Sequence, residues 1–355
     1  MTPDNSLQDK QTAQGAVFVD GLSVPMSFGN DAVAYAAAQT GVALCDRSHW
    51  GRIRLSDSDH LRFLHNQTTN QIQRLQPGQG CDTVFVTSTG RTIDLVTAYV
   101  ESDSILLLTS PGQAQPLMAW MDRYIFFADQ VQLADETNAT VALTLVGPES
   151  SALLAQLGIP DVDLANYGSH QRAMLSGLET QIAIGSGLAT AGITLITTAD
   201  AGPALWSVLV AAGAVPLGDR LWQTLRIEQG RPLPGAELTE NYNPLEAALW
   251  QAVSFDKGCY IGQEIIARLQ TYQGVKQQLW GLRLAAPVDV GTPILSTDEN
   301  KVGVVTSCVA NNQGAIALGY IRTKAGGKGL KVSVGNQQAD VVDIPFASRG
   351  YLAEQ

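Results

Sequence analysis

Cysteine and histidine are scarce in this chain of 355 residues. It holds four cysteines and four histidines, and no two cysteines form a CxxC pair. Such scattered cysteines argue against a structural zinc site and against a disulfide framework, and they are typical of a reducing compartment. We therefore expect no metal site in this protein.

Long apolar runs are also missing. The most apolar stretch, Leu205–Leu217, is interrupted by Gly213 and Pro216, whereas a membrane helix needs about 20 apolar residues in succession. The first fifteen residues lack the positive start and the apolar block of a secretory signal. These features predict a cytoplasmic protein that has no membrane partner.

Positive charge is in short supply as well. The chain has 22 basic and 33 acidic residues, which gives a formal net charge of −11. Binding to a nucleic-acid backbone requires Lys and Arg to displace counterions, so direct nucleic-acid binding is disfavoured. A hydrophobic fraction of 45% in a chain of this length predicts two or three globular domains.

The order of predicted strands and helices occurs twice. Between residues 52 and 133, apolar periodicity predicts a strand, a helix, two or three strands, a helix and a strand. The same order recurs between residues 140 and 212, so each copy has the split βαββαβ pattern of a ferredoxin-like unit. A strong helix follows from Gly218 to Glu228. From about Gln278, short alternating runs separated by Gly, Asn and Pro predict an all-β module.

Asp94 breaks the apolar pattern of its strand. In RTIDLVTAYV, alternation places Asp94 on the same face as Thr92 and Val96. A carboxylate among apolar neighbours is costly unless it is paired or hydrogen-bonded. It either bonds to a nearby loop as an end-of-strand residue or belongs to a ligand site.

Glu228 ends the apolar stripe of the helix that begins near Gly218. Leu221 and Leu225 precede it at helical spacing. An acid in this position either pairs with Arg226 or Arg231, or faces a ligand.

The segment FDKGCYIGQE surrounds Cys259 with glycine. Gly258 and Gly262 predict a tight turn of the backbone, and the following QEIIARL predicts a helix. A helix N-terminus and the ammonium of Lys257 would both favour the thiolate of Cys259. The alternative is a buried, unreactive cysteine.

KGCYIGQE matches the YgfZ-family signature K-G-C-[FY]-x-G-Q-E at every fixed position. The run CDRSHWGRIRLSDSDHLRFLHNQTTNQIQRLQPGQG and the later LRIEQG and NPLEAAL resemble signatures that this family shares with the glycine-cleavage T-protein, an aminomethyltransferase. RSHWGRIRLS and TVFVTSTGRTIDL are most similar to photosynthetic members. The resemblance extends from Val17 to Phe346.

The resemblance implies an α+β fold of three domains arranged as a ring around a central channel. Two are ferredoxin-like, the first of them discontinuous, and the third is a C-terminal β-barrel-like domain. The implied bounds are 1–48 with 138–250 for the discontinuous domain, 49–137 for the second domain, 251–277 for the signature segment and linker, and 278–355 for the barrel.

The resemblance also implies a tetrahydrofolate site. Asp94 matches the first acid of the T-protein motif G-G-x-x-D-D, whereas Leu95 stands at the second. Glu228 matches the glutamate of LRxExG that holds the pterin, whose 2-amino group and N3–H suit a bidentate carboxylate. Arg268 and Lys276 are placed to meet the glutamate tail of a folate.

The function that the resemblance implies is support for iron–sulfur enzymes. Tetrahydrofolate or a derivative would be the cofactor, iron–sulfur proteins or their assembly factors the partners, and Cys259, Lys257 and Asp94 the reactive groups. Whether a substrate is turned over stays open. One alternative is aminomethyltransferase activity. Another is an indirect role in tRNA modification, through an iron–sulfur enzyme that modifies tRNA.

Overall fold

The computed structural model describes residues 6–160, 162–163, 165–311 and 314–353. The chain divides into two compact units. Unit 1 comprises Met1–Leu61, Arg74–Cys81 and Thr97–Gln223, and unit 2 comprises Arg62–Gln73, Asp82–Val96 and Thr224–Gln355. Within the described part of the chain, no helix has both the length and the apolar character needed to cross a membrane.

The predicted duplication is confirmed by the order of the elements. Two helices and a strand come first, namely α1 (Leu7–Thr12), α2 (Asp31–Thr40) and β1 (Ala43–Asp46). The first repeat then consists of β2 (Trp50–Ser56), α3 (His60–Gln67), β3 (Gln79–Val86), β4 (Thr92–Val100), β5 (Ser104–Pro111), α4 (Ala114–Asp122) and β6 (Gln132–Asp135). The second repeat consists of β7 (Thr140–Val146), α5 (Ser150–Gln156), β8 (His170–Leu175), β9 (Leu178–Ile184), β10 (Gly192–Thr198), α6 (Gly202–Ala211) and β11 (Val215–Leu217).

The two repeats build sheets of matching strand order. The first sheet runs β3-β4-β5-β2-β6 and the second β8-β9-β10-β7-β1-β11. In the second sheet β1 lies between the first and last strands of its repeat, antiparallel to β7 and parallel to β11. Because β1 precedes the entire first repeat, the domain it joins is discontinuous, as predicted.

Helix α6 shows how the sequence builds the core of the second repeat. Pro203 lies in its first turn, where the missing N–H has no intrahelical partner to lose. Leu205, Trp206 and Leu209 are then fully buried at helical spacing, against a sheet whose inner face is aliphatic. This packing follows from the periodicity of the sequence alone.

The predicted β module is a closed barrel. Helices α7 (Asp219–Gln229) and α8 (Gln263–Thr271) precede it in the chain. The barrel order is β12-β15-β14-β13-β16-β17, with strands β12 (Gln277–Leu284), β13 (Pro293–Leu295), β14 (Lys301–Asn311), β15 (Gly314–Arg322), β16 (Lys331–Val334) and β17 (Gln337–Val342). The α+β class with two ferredoxin-like repeats and a C-terminal barrel is confirmed, whereas the bounds given above for the individual domains and their arrangement as a ring stay predictions.

A buried ion pair ties α7 to the barrel within unit 2. Glu237 has no exposed surface and pairs with Arg226 of α7 at 2.9 Å. Hydroxyl groups of Thr306 and Ser307 on β14 donate to its Oε1 at 2.8 and 2.6 Å, and the N–H of Leu233 donates to Oε2, the oxygen that Arg226 also contacts. Each carboxylate oxygen therefore has partners, which buried charge requires.

Arg226→Ala is expected to lower the free energy of unfolding by about 3–5 kcal/mol, because Glu237 would keep its buried charge without its counter-ion. Denaturant unfolding of the full chain measures this loss. Arg220→Ala is the matched control on the same helix, since its pair with Asp31 is exposed and costs less than about 1 kcal/mol. Equal losses in the two variants would contradict a structural role for the buried pair.

Candidate functional site

The six site residues expected from the sequence all belong to unit 2. They lie on four segments of that unit: strand β4, helix α7, the loop before α8, and the stretch from α8 to the start of the barrel. These six are Asp94, Glu228, Lys257, Cys259, Arg268 and Lys276.

Asp94 is completely buried on β4. The neighbouring Leu95 points to the opposite face of the strand and joins an apolar cluster with Val84 and Val86. The start of β4 is fixed by Thr92, whose N–H donates to the carbonyl of Tyr242 at 2.9 Å. Asp94 is thus held in a dry environment, where a carboxylate binds hydrogen-bond donors more strongly than in water.

Glu228 lies half-buried near the end of α7. The side-chain amide of Asn311 donates to its Oε1 at 3.4 Å. Arg226, one of the two arginines considered as its partner, forms an ion pair with Glu237. Arg231 lies over the ring of Phe346, with 5.4 Å between guanidinium and ring centroid.

Two stacked tyrosines connect the segments that carry these acids. The rings of Tyr242 and Tyr320 are 3.4 Å apart and nearly parallel. Tyr242 accepts the bond from Thr92 at the start of β4, while Tyr320 packs with Ile227 of α7. Burial raises the pKa of both hydroxyls, and nearby carboxylates add to the shift, so the two phenols stay neutral at physiological pH.

Sequence reasoning missed Glu246, which lies within NPLEAAL. Burial raises its pKa, opposed by the backbone N–H of Asn243 and by the charges of Arg91 and Lys276. The guanidinium of Arg91 lies 3.6 Å from the Oε2 atom of Glu246. The sequence did contain a signal for Glu246, because it is the acid within NPLEAAL, a run that had already been singled out.

The signature loop presents Cys259 to solvent. Cys259 is exposed, whereas the other three cysteines are buried or partly buried. On either side of the tip, Lys257 and Tyr260 are buried. The alternative of a buried cysteine is therefore wrong, whereas the reactivity of the thiol stays a prediction.

Gly262 ends the loop and begins α8 in a left-handed conformation, with φ of +81°. A Cβ atom there would come within 2.5 Å of the carbonyl oxygen of Thr87. Glycine is thus required twice, once for its backbone angle and once for the close approach of the β3–β4 turn. The helix expected after the signature is confirmed.

Arg268 and Lys276 share one cleft. This open cavity of about 380 Å³ is lined by Ile265, Arg268, Leu269, Tyr272, Gly274 and Lys276. Neither cation forms an ion pair within the part of the chain that the structure describes. The cleft can therefore accept an anionic group against an apolar wall.

Comparison with known proteins places the chain in a family. The model of the GCVT N-terminal domain matches residues 7–257, so the chain belongs to the GCVT family. "Putative transferase At1g60990, chloroplastic" from Arabidopsis thaliana is 43% identical over 338 residues, which cover 94% of this chain and 78% of that protein. An aminomethyltransferase from Halalkalibacterium halodurans is 30% identical over 347 residues, 93% of each chain.

A solved structure agrees with the fold. The glycine cleavage system aminomethyltransferase T from Bartonella henselae superposes with a TM-score of 0.85 over 97% of both chains, at 21% sequence identity. This likeness extends through both repeats and the barrel. At this identity it establishes the architecture and leaves the chemistry to be argued from the site.

Proposed function

We propose that this protein binds tetrahydrofolate or a derivative and supports the assembly or repair of iron–sulfur enzymes. The observation that carries the proposal is the exposed Cys259 on a loop with buried anchors, in a family whose curated members include aminomethyltransferases. The cytoplasmic location stays a prediction, since the Arabidopsis relative is named as chloroplastic.

The folate part of the proposal rests on the acids. Asp94 is buried and Glu228 is half-buried, and the stacked pair of Tyr242 and Tyr320 connects their segments. A pterin offers two adjacent N–H donors that one carboxylate can accept together. We assign this clamp to Glu228, a second polar contact to Asp94, and the tail carboxylates to the cleft that Arg268 lines.

The iron–sulfur part of the proposal rests on the sulfur. Thiolates are the protein ligands of iron–sulfur clusters and the nucleophiles of thiol exchange. A thiol that must reach a partner protein has to be exposed, and Cys259 is the exposed one. Clients would accordingly be iron–sulfur proteins or their assembly factors.

Glu228→Gln is expected to weaken tetrahydrofolate binding by about 1.5–3 kcal/mol, the range for a hydrogen bond to a charged group. Quenching of tryptophan fluorescence during a folate titration measures the affinity, since the chain has six tryptophans. Asp298→Asn, at an exposed position in the barrel, serves as the control. Unchanged affinity in Glu228→Gln would reject the pterin clamp.

Cys259→Ser is expected to keep the fold and the folate affinity, because the side chain is exposed, and to abolish rescue of iron–sulfur enzyme activity in cells that lack the protein. Cys308→Ser is the control, since it makes the same substitution at a partly buried cysteine. Full rescue by the Cys259 variant would reject the thiol mechanism.

Aminomethyltransferase activity is the second candidate, favoured by 30% identity to an aminomethyltransferase across 93% of both chains. Against it stands Leu95, buried where the transferase motif has its second acid. We expect no ammonia release above background when the protein is mixed with an aminomethyl-loaded lipoyl carrier protein and tetrahydrofolate. Brisk release would favour the transferase.

A further inference from the structure

The last residues of α3 and the turn that follows it direct a row of backbone carbonyls at the signature loop. Ser254 N–H donates to the carbonyl of Thr69 at 3.0 Å, and Ile261 N–H donates to that of Asn66 at 3.1 Å. The ammonium of Lys257 donates hydrogen bonds to three more carbonyls. Five carbonyls are thus satisfied by residues 254–261: those of His65, Asn66, Thr68, Thr69 and Asn70.

The ammonium of Lys257 fits this row closely. Its Nζ lies 2.5, 2.6 and 2.7 Å from the carbonyl oxygens of His65, Thr68 and Asn70, which matches its three N–H donors. The side chain is buried, so these charge-assisted bonds offset the loss of hydration. The carbonyls at the end of α3 also carry the negative end of the helix dipole, which favours a cation.

Burial alternates sharply along the loop. Lys257 and Tyr260 are buried, whereas Gly258 and Cys259 between them are exposed. The ring of Tyr260 also lies 4.8 Å from the Lys257 ammonium, close enough for a cation–π contact. Because Lys257 and Tyr260 are both held in the interior, the two residues between them lie at the surface, and the thiol of Cys259 faces solvent.

We propose that Lys257 is a positioning residue, which holds the signature loop against the end of α3 and the turn that follows it, and so fixes the outward placement of Cys259. Its three N–H donors point at carbonyl oxygens, so they are not directed at the thiolate of Cys259. This role differs from the activation of the thiol expected from the sequence. It goes beyond the proposed function, because it can be tested without a folate or a client.

A lysine is required by this geometry. The carbonyls surround a single point, which suits a compact ammonium with three donors, whereas the planar guanidinium of arginine directs its donors in one plane. Lys257→Arg keeps the positive charge and loses the fit. Lys257→Met loses both, so the two variants separate charge from placement.

The experiment uses the full chain with Lys257→Met, Lys257→Arg and, as a control, Lys328→Met at an exposed lysine of the barrel. Two quantities are measured on each. The first is the pH midpoint for alkylation of Cys259 by iodoacetamide, resolved by peptide mass spectrometry. The second is amide hydrogen exchange in residues 65–70 and 254–262.

We expect exchange in both segments to become at least about tenfold faster in both Lys257 variants, as for local opening, with an unchanged alkylation midpoint and with no effect in the control. A midpoint raised by about one pH unit or more in Lys257→Met, the size expected for a lost neighbouring charge, would overturn the proposal. Wild-type exchange in Lys257→Arg would also overturn it. If Lys257→Met does not fold, the proposal is tested by the rate of amide exchange in Lys257→Arg alone.

Discussion

The carboxylate of Glu237 is the constraint on which unit 2 depends. It is fully buried and holds together α7, the segment after it and the barrel strand β14 through Arg226, Leu233 and Ser307. Buried charge tolerates little freedom, because any displacement leaves a charge without partners. Helix α7 is consequently fixed against the barrel, and so is Glu228 at its end. The position of the proposed clamp therefore depends on the ion pair between Arg226 and Glu237.

A second constraint in the same unit joins two segments that are far apart in the chain. Residues 65–70, at the end of α3 and in the turn that follows it, supply carbonyls, and residues 254–261 supply the ammonium and the N–H groups that bind them. The two segments satisfy part of each other's backbone hydrogen bonds, as buried polar groups require. Strand β3 adds further bonds to the first segment, among them the one from the N–H of Thr69 to the carbonyl of Val84 at 3.2 Å. The thiol of Cys259 lies at the surface between these bonded positions.

The sequence predicted the fold well where periodicity was strong. The order of elements in both repeats followed from apolar spacing. The interactions that position the site were less visible. Lys257 was expected to act on its neighbour at 259, but its partners lie about 190 residues earlier in the chain, and no local pattern encodes them. Glu237 was missed for the same reason, since its partners Thr306 and Ser307 are remote.

Leu95 shows how the packing of this chain bears on its chemistry. It belongs to the same apolar cluster as Tyr260 of the signature loop and Ile266 of α8. A second acid at this position would bury a carboxylate in that cluster, with no water to solvate it. Position 95 can therefore hold either an apolar side chain that packs against the signature helix or the second acid of the T-protein motif, but not both. Because this chain has leucine at position 95, β4 carries a single acid, Asp94. The opposite face of the strand packs against Tyr260, in the loop that presents Cys259.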